Sequence, residues 1–373
     1  MKKIGLATFF FDDNYGTCLQ AFGLQYTIEK LGYKVSLLRY HRGEESAEYK
    51  SNRWKKVFHI SPIKLLWWLF NRKTIAQKKG AFLKYRLEKL HLAEDKDYYR
   101  NSDFSALASK YDALVCGSDM MWSSDFKHDW PFYYLTFGDK KRTISYAPSF
   151  GRNYLSKEEV LQCIPYINNI GYLSCREKGG VDLIKEKFNL EATHVVDPTL
   201  LLTAEEWNNT LNTDKKIIEG DYFLVYLFNG TTRHGRNKII EQAEKITNDN
   251  VVVLSGAEGK FKKYQYDGAG PSEFVRLYRD CKFVITDTFH GMLFAIIFKK
   301  PFIVLDKSTF GISADRLVNT LHFLGISNRY VKTNVTLDDT LLKMNYENVD
   351  KILIEEREKS INYLKYSLDN ATK

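Results

Sequence analysis

The chain has 373 residues, 44% hydrophobic and 27% charged, which excludes a disordered, collagenous or coiled-coil protein. Its length accommodates about two domains, each large enough for its own core. The formal net charge of +9 is local: residues 51–90 hold eleven Lys or Arg and one acid, Glu88, against 44 basic and 45 acidic residues elsewhere. No positive field covers the whole protein, so no nucleic-acid partner is expected.

In chain order, two lysines open a short apolar run that meets Asp12 and Asp13 without a small-residue cleavage site. It reads as a β-strand, Lys3–Thr8, rather than a signal peptide. Further strands are expected at Lys34–Tyr40, Asp112–Cys116, Thr143–Ala147, Tyr172–Cys175 and His194–Val196. A second series falls at Tyr222–Phe228, Val251–Leu254, Phe283–Thr286 and Pro301–Leu305. Helical spacing lies between them at Cys18–Leu31, Lys157–Asn168, Gly180–Phe188, Gly235–Thr247, Pro271–Cys281, Gly291–Phe298 and Asp315–Leu324, with a last helix over Tyr346–Leu368. The alternation predicts an α/β protein with parallel sheets.

The series breaks near Asp197–Gly220, which predicts a Rossmann-like domain over 1–205, with a basic helical insertion at 51–90, and a second over 215–350. The two would face a central cleft at the carboxyl ends of both sheets, where such folds bind ligands. Residues 351–373 would form a helix packing back on the first domain. The five cysteines (Cys18, Cys116, Cys163, Cys175, Cys281) are odd in number and lack a CxxC pair, and no apolar run approaches the roughly 18 residues of a membrane span. The expected location is cytoplasmic, at most peripheral on the inner face of a membrane.

Four segments carry chemistry. Asn14, Tyr15 and Gly16 join the first strand to a helix, a turn that either caps the helix or offers its N–H groups to a polar ligand. In "FVITDTFHGMLFAII" a strand ends at Thr288 and His290 opens an apolar helix, suited to accept a proton or to donate an N–H to phosphate; a simple cap is the alternative. Arg176 ends a strand, where its fork suits a carboxylate or phosphate unless it only pairs with Glu177. Asp119 follows "VCGS", placed to take or accept a sugar hydroxyl proton, or to cap the next turn. Eight scattered histidines show no HxH or HExxH spacing, and no metal site is expected.

The segments "DNYGTCLQAFGLQYTIEKLGYKV", "VCGSDMMW", "RTISYAPSFG", "SCREKGGVDLI", "VVDPTLLL", "FVITDTFHGMLFAIIFKKPFIVL" and "SADRLVNTL" occur in that order. Together they resemble the polysaccharide pyruvyl transferase family from about Lys3 to about Gly325. The resemblance implies a GT-B-like fold of two Rossmann-like domains. It also implies transfer of an enolpyruvyl-derived unit from phosphoenolpyruvate to a sugar of a cell-surface polysaccharide or its precursor, giving a pyruvate ketal, without a cofactor. By motif, His290 and Arg176 would handle the donor, and Asn14, Tyr15, Gly16, Asp119 and Arg316 would line the cleft. His290 would be proton donor or phosphate ligand, Arg176 and Arg316 anion clamps, and Asp119 the acceptor-side base. In some branches an arginine stands two residues before the histidine, where this chain has Thr288. Two rivals stand beside this reading: a GT-B glycosyltransferase with a nucleotide-sugar donor, and an inactive carbohydrate-binding relative.

In the basic segment Ile63, Leu66, Trp67 and Phe70 recur at helical spacing, as do Leu83, Leu87 and Leu90. Lys and Arg surround both sets. The segment reads either as an insertion whose apolar stripe packs on its own domain or as a helix on anionic lipid, the latter suiting a lipid-linked acceptor.

Overall fold

A computed structural model describes residues 1–42, 62–94, 96–211, 215–228, 236–248, 250–254, 266, 268–306 and 314–373. The first sheet is built from β1 (Lys3–Ala7), β2 (Lys34–Leu37), β3 (Ala113–Cys116) and β4 (Thr143–Ser145), all parallel, in the order β2-β1-β3-β4. The second holds β5 (Phe223–Tyr226), β6 (Val251–Leu254), β7 (Phe283–Thr286), β8 (Phe302–Leu305) and β9 (Tyr330–Val331) in the parallel order β6-β5-β7-β8-β9. Strands such as Ala113–Cys116 and Phe283–Thr286 are buried throughout, because helices cover both faces of a parallel sheet.

The principal helices are α1 (Tyr15–Lys30), α2 (Pro62–Lys89), α3 (Lys157–Ile167), α4 (Lys178–Phe188), α5 (Arg236–Thr247), α6 (Pro271–Asp280), α7 (Phe289–Ile297), α8 (Asp315–Phe323) and α9 (Glu347–Ala371). α1 begins three residues before the expected Cys18, because the Asn14 side chain accepts a hydrogen bond from Thr17 N–H and caps it. The expected strand Lys34–Tyr40 divides. A bond from Tyr40 N–H to the Leu38 carbonyl turns the chain, and Tyr40–His41 pairs instead with Tyr98–Tyr99. Tyr172 bridges to Ile144, while Ser174–Cys175 pairs with Thr193–His194.

One buried cluster runs without interruption from Ile4 and Leu6 through Tyr15 to Phe274 and Phe294 and so joins the two sheets. α9 lies against the first of them. Ser360 Oγ accepts from the buried Val196 N–H at 3.0 Å, Tyr363 donates to the Ser145 carbonyl at 3.0 Å, and Glu356 faces His194 Nδ1 at 3.0 Å. Replacing Ser360 with Ala leaves the Val196 N–H buried without a partner, which costs about 1–3 kcal/mol. A urea titration of Ser360→Ala is expected to show that loss, and an unchanged midpoint would show that α9 is held by packing alone.

Candidate functional site

The site forms where strand ends and helix starts of both sheets meet. Arg176 follows the Ser174–Cys175 strand, and its side chain is 2% exposed. Its Nε bonds Glu177 at 2.8 Å and its Nη1 bonds Asp197 at 3.0 Å, with Asp119 3.6 Å away. The guanidinium lies over the Phe289 ring, 4.4 Å from its centroid, and Arg316 lies over the same ring at 5.5 Å. Arg316 also reaches Asp119 at 3.7 Å. His290 Nε2 stands 3.5 Å from the Asp197 carboxylate. Gly16 closes the other side: a Cβ there would lie 2.0 Å from His290 Nδ1, so only glycine lets α1 and α7 approach this closely.

Asp119 is held in an unusual backbone state. Its φ of 82° is one that residues with side chains rarely adopt. Its carbonyl accepts from Met121 N–H and Ser149 N–H, and its carboxylate accepts from Met120 N–H at 2.9 Å. Burial alone would raise its pKa, but Arg176, His290 and Arg316 outweigh burial and hold it below the ordinary value. Asp197 behaves likewise. Burial would raise it, yet His290, Arg176 and the Thr199 N–H hold its carboxyl well below the usual range.

Among the described residues, Arg176 Nη2 and His290 Nε2 are buried side-chain nitrogens without a hydrogen-bond partner. An unmade bond at such a donor costs about 1–3 kcal/mol, so both are poised to bind an acceptor atom. Four helices begin at this place: Gly16 lies in the first turn of α1, Arg176 just before α4, His290 in the first turn of α7 and Arg316 in that of α8. The amino ends of their helix dipoles add positive potential without a formal charge.

The structure thus brings His290, Arg176, Arg316, Asp119 and Gly16 together. Thr288, Asn14 and Tyr15 have other surroundings. Thr288 caps α7 by accepting from Gly291 N–H at 3.1 Å, and Asn14 caps α1. Tyr15 is buried, stacked on Phe274 at 4.7 Å, and donates to the Ala269 carbonyl. Sequence reasoning missed Asp197 and Phe289. Asp197 was visible only inside "VVDPTLLL", where an Asp before Pro looks like an ordinary cap, and it does cap Pro198–Leu201. Among the described residues no group of three or more His, Cys, Asp or Glu forms a metal site. An open depression of about 1030 Å³, lined by Lys3, Glu29, Lys34 and His91, lies at the amino ends of β1 and β2, away from these residues.

The fold is GT-B-like, and the site is an ion-paired cleft at the carboxyl ends of two parallel sheets. A family model for polysaccharide pyruvyl transferase matches residues 14–308, and the chain belongs to that family of transferases. No curated protein sequence matches it. Among solved structures it is similar to the wall teichoic acid polymerase TagF, with 10% identity over 100% of this chain and 89% of that one at a TM-score of 0.52. It is also similar to an alpha-glucosyltransferase in complex with UDP, with 11% identity over 100% of both chains and a TM-score of 0.48. A UDP-GlcNAc 2-epimerase from Methanocaldococcus jannaschii shares 13% identity over 94% of this chain and 91% of its own at 0.48. At such identities the likeness is one of fold.

The depressed carboxyls set a direction for acid stability. Their folded pKa lies below the unfolded value of about 3.9, so their stabilisation is complete above that pH and is lost as pH falls toward the folded value. The midpoint of thermal unfolding is expected to hold from pH 7 to about 5 and to drop below about 4. Asp197→Asn should unfold at lower temperature at pH 7 and lose less on further acidification. A midpoint equal to wild type at pH 7 would show that this carboxylate carries no stability.

Proposed function

We propose that the chain transfers the enolpyruvyl-derived unit of phosphoenolpyruvate to a saccharide, forming a pyruvate ketal on a cell-surface polysaccharide or its precursor. The observation that carries this reading is the pair of unpartnered buried donors, Arg176 Nη2 and His290 Nε2, at the meeting point of four helix starts. Such a place suits the oxygens of a small anion. The two arginines divide the work. Arg176 is occupied by Glu177 and Asp197 and offers its Nη2, whereas Arg316, 20% exposed and 3.7 Å from Asp119, supplies the more accessible cation.

In the reaction His290 gives a proton to the donor's C3, and C2 becomes oxocarbenium-like. One sugar hydroxyl adds to C2, phosphate departs, and a second hydroxyl closes the ketal. One hydroxyl proton returns to His290 and the other leaves with phosphate. Asp197, 3.5 Å from that same Nε2, keeps a carboxylate beside the nitrogen that exchanges the proton. Asp119, with its low pKa, orients an acceptor hydroxyl by accepting its hydrogen bond rather than serving as a strong base. The saccharide is read as lipid-linked or polymeric, and a lipid-linked one brings the enzyme to the inner face of a membrane through residues 51–90.

Phosphate release from phosphoenolpyruvate across a panel of sugar acceptors tests the reaction, and release of a nucleotide from a nucleotide-sugar would select the glycosyltransferase instead. His290→Ala is expected to abolish release; full retention sinks the assignment. His290→Gln separates roles, because glutamine donates a hydrogen bond but no proton, so activity within about tenfold of wild type would make His290 a phosphate ligand. Gly16→Ala pushes His290 from its place, and a displacement of about 1 Å is expected to lower kcat by about 100-fold with the fold intact by circular dichroism.

A further inference from the structure

α2 has two faces of different character. Phe82 and Tyr85 are buried on one, with Leu90 just past the helix end. On the same side Arg86 donates to the Phe11 carbonyl and pairs with Asp13, and Lys89 donates to the Thr210 carbonyl. These contacts account for the docking of the helix on the core. Among the described residues they leave the opposite face unused.

That face is ordered. At 3.6 residues per turn, Leu83, Ala76, Leu87 and Gly80 form the centre of an exposed arc of roughly 140°. Arg72 and Lys79 border it on one side and Lys73 and Lys84 on the other, all four exposed. Leu83 is 53% and Leu87 66% exposed. The helix as a whole carries eight Lys or Arg and one acid, Glu88, whose pairing with Lys84 at 3.9 Å is a surface contact. Of the set Leu83, Leu87 and Leu90, Leu90 packs on its own domain and the other two stay outside. Phe82 and Tyr85 take the inward side, one residue out of phase with them.

We propose that this outer face lies on an anionic lipid bilayer, the helix axis parallel to the surface. Leu83 and Leu87 would sit among the headgroups, and the flanking cations would snorkel to the lipid phosphates along their own apolar stems. Two leucines alone bury too little apolar area for stable attachment, so the basic borders decide the choice of lipid. The helix lies on the membrane rather than through it, since no helix among the described residues is long and apolar enough to cross. Its inner face touches the start of α1: Phe82 lies 5.1 Å from the Tyr15 ring, and Lys78 lies over that ring at 5.1 Å. Docking therefore holds the Gly16–His290 cleft beside the bilayer, and for a lipid-carried acceptor this consequence rests on the function proposed above.

Flotation of the full chain with vesicles of phosphatidylcholine, alone or mixed with phosphatidylglycerol, tests the surface without using the reaction. Binding to the anionic vesicles alone is expected, weakened by salt and reduced by about tenfold or more in Leu83→Ser/Leu87→Ser and in Arg72→Gln/Lys73→Gln/Lys79→Gln/Lys84→Gln. Both variants should keep wild-type unfolding midpoints and wild-type phosphate release with a soluble acceptor. Absence of binding, equal binding to neutral vesicles or unchanged binding by both variants overturns the proposal. A self-association in sedimentation that Leu83→Ser/Leu87→Ser abolishes would give the face to a second copy of the chain and overturn it as well. Flotation without phosphate release would leave the surface standing and sink the pyruvyl transfer.

Discussion

Arg176 is a cation taken almost wholly out of water, and the cleft is arranged around what keeps it there. Burying a charge costs several kcal/mol unless opposite charges and hydrogen bonds meet it. Glu177, Asp197 and Asp119 meet it from three directions, and Phe289 covers the guanidinium face. Three of those partners have a second task. Asp197 faces His290, Asp119 faces Arg316, and Phe289 carries both arginines. A single residue at the end of the Ser174–Cys175 strand thus fixes the position of groups that arrive on helices following strands of the second sheet. Lysine would not replace it, because a point charge has no fork to hold Glu177 and Asp197 at once.

Parallel topology explains why so many polar groups converge. Every βα connection of a parallel sheet delivers a helix start to the same edge, and two sheets whose edges meet deliver several. Here α1, α4, α7 and α8 all begin at the cluster. Two arginines against Asp119, Asp197 and Glu177 leave no surplus of formal positive charge. The small anion proposed as donor would then be held by oriented helix starts and unmade hydrogen bonds rather than by net charge. A site of that kind discriminates by geometry, since an anion that misses Arg176 Nη2 gains little from the field around it.

The legible part of the site was the part tied to local pattern. His290, Arg176 and Asp119 each stand where a strand ends or a helix starts, so sequence placed them at one edge; Arg316 entered only through the family resemblance, and the four do meet. Burial is a tertiary property, and there the sequence ran out. Asn14 and Tyr15 look alike as turn residues, yet one caps α1 and the other packs against Phe274 and Phe82, rings brought in by distant helices. Asp197 escaped for the converse reason. It follows a strand of only two residues and caps a short turn, so nothing local marks it, and its importance arises from Arg176 and His290 arriving beside it.

The same limit applies to α2 and changes the meaning of the chain's charge. Leu83 and Leu87 satisfy helical spacing as well as Phe82 and Tyr85 do, and periodicity alone cannot say which pair turns inward. The core selects the aromatic pair, because Phe82 reaches Tyr15 and Tyr85 reaches Phe22, contacts that leucine is too short and narrow to make. What remains outside is a short apolar strip between basic borders, while the site a few residues away is charge-balanced. Among the described residues, the exposed cations of α2 are therefore distinct from the ion-paired arginines of the cleft. Screening by salt weakens the exposed cations strongly and the buried pairs little, so the proposed surface attraction and the proposed cleft chemistry would differ in salt dependence.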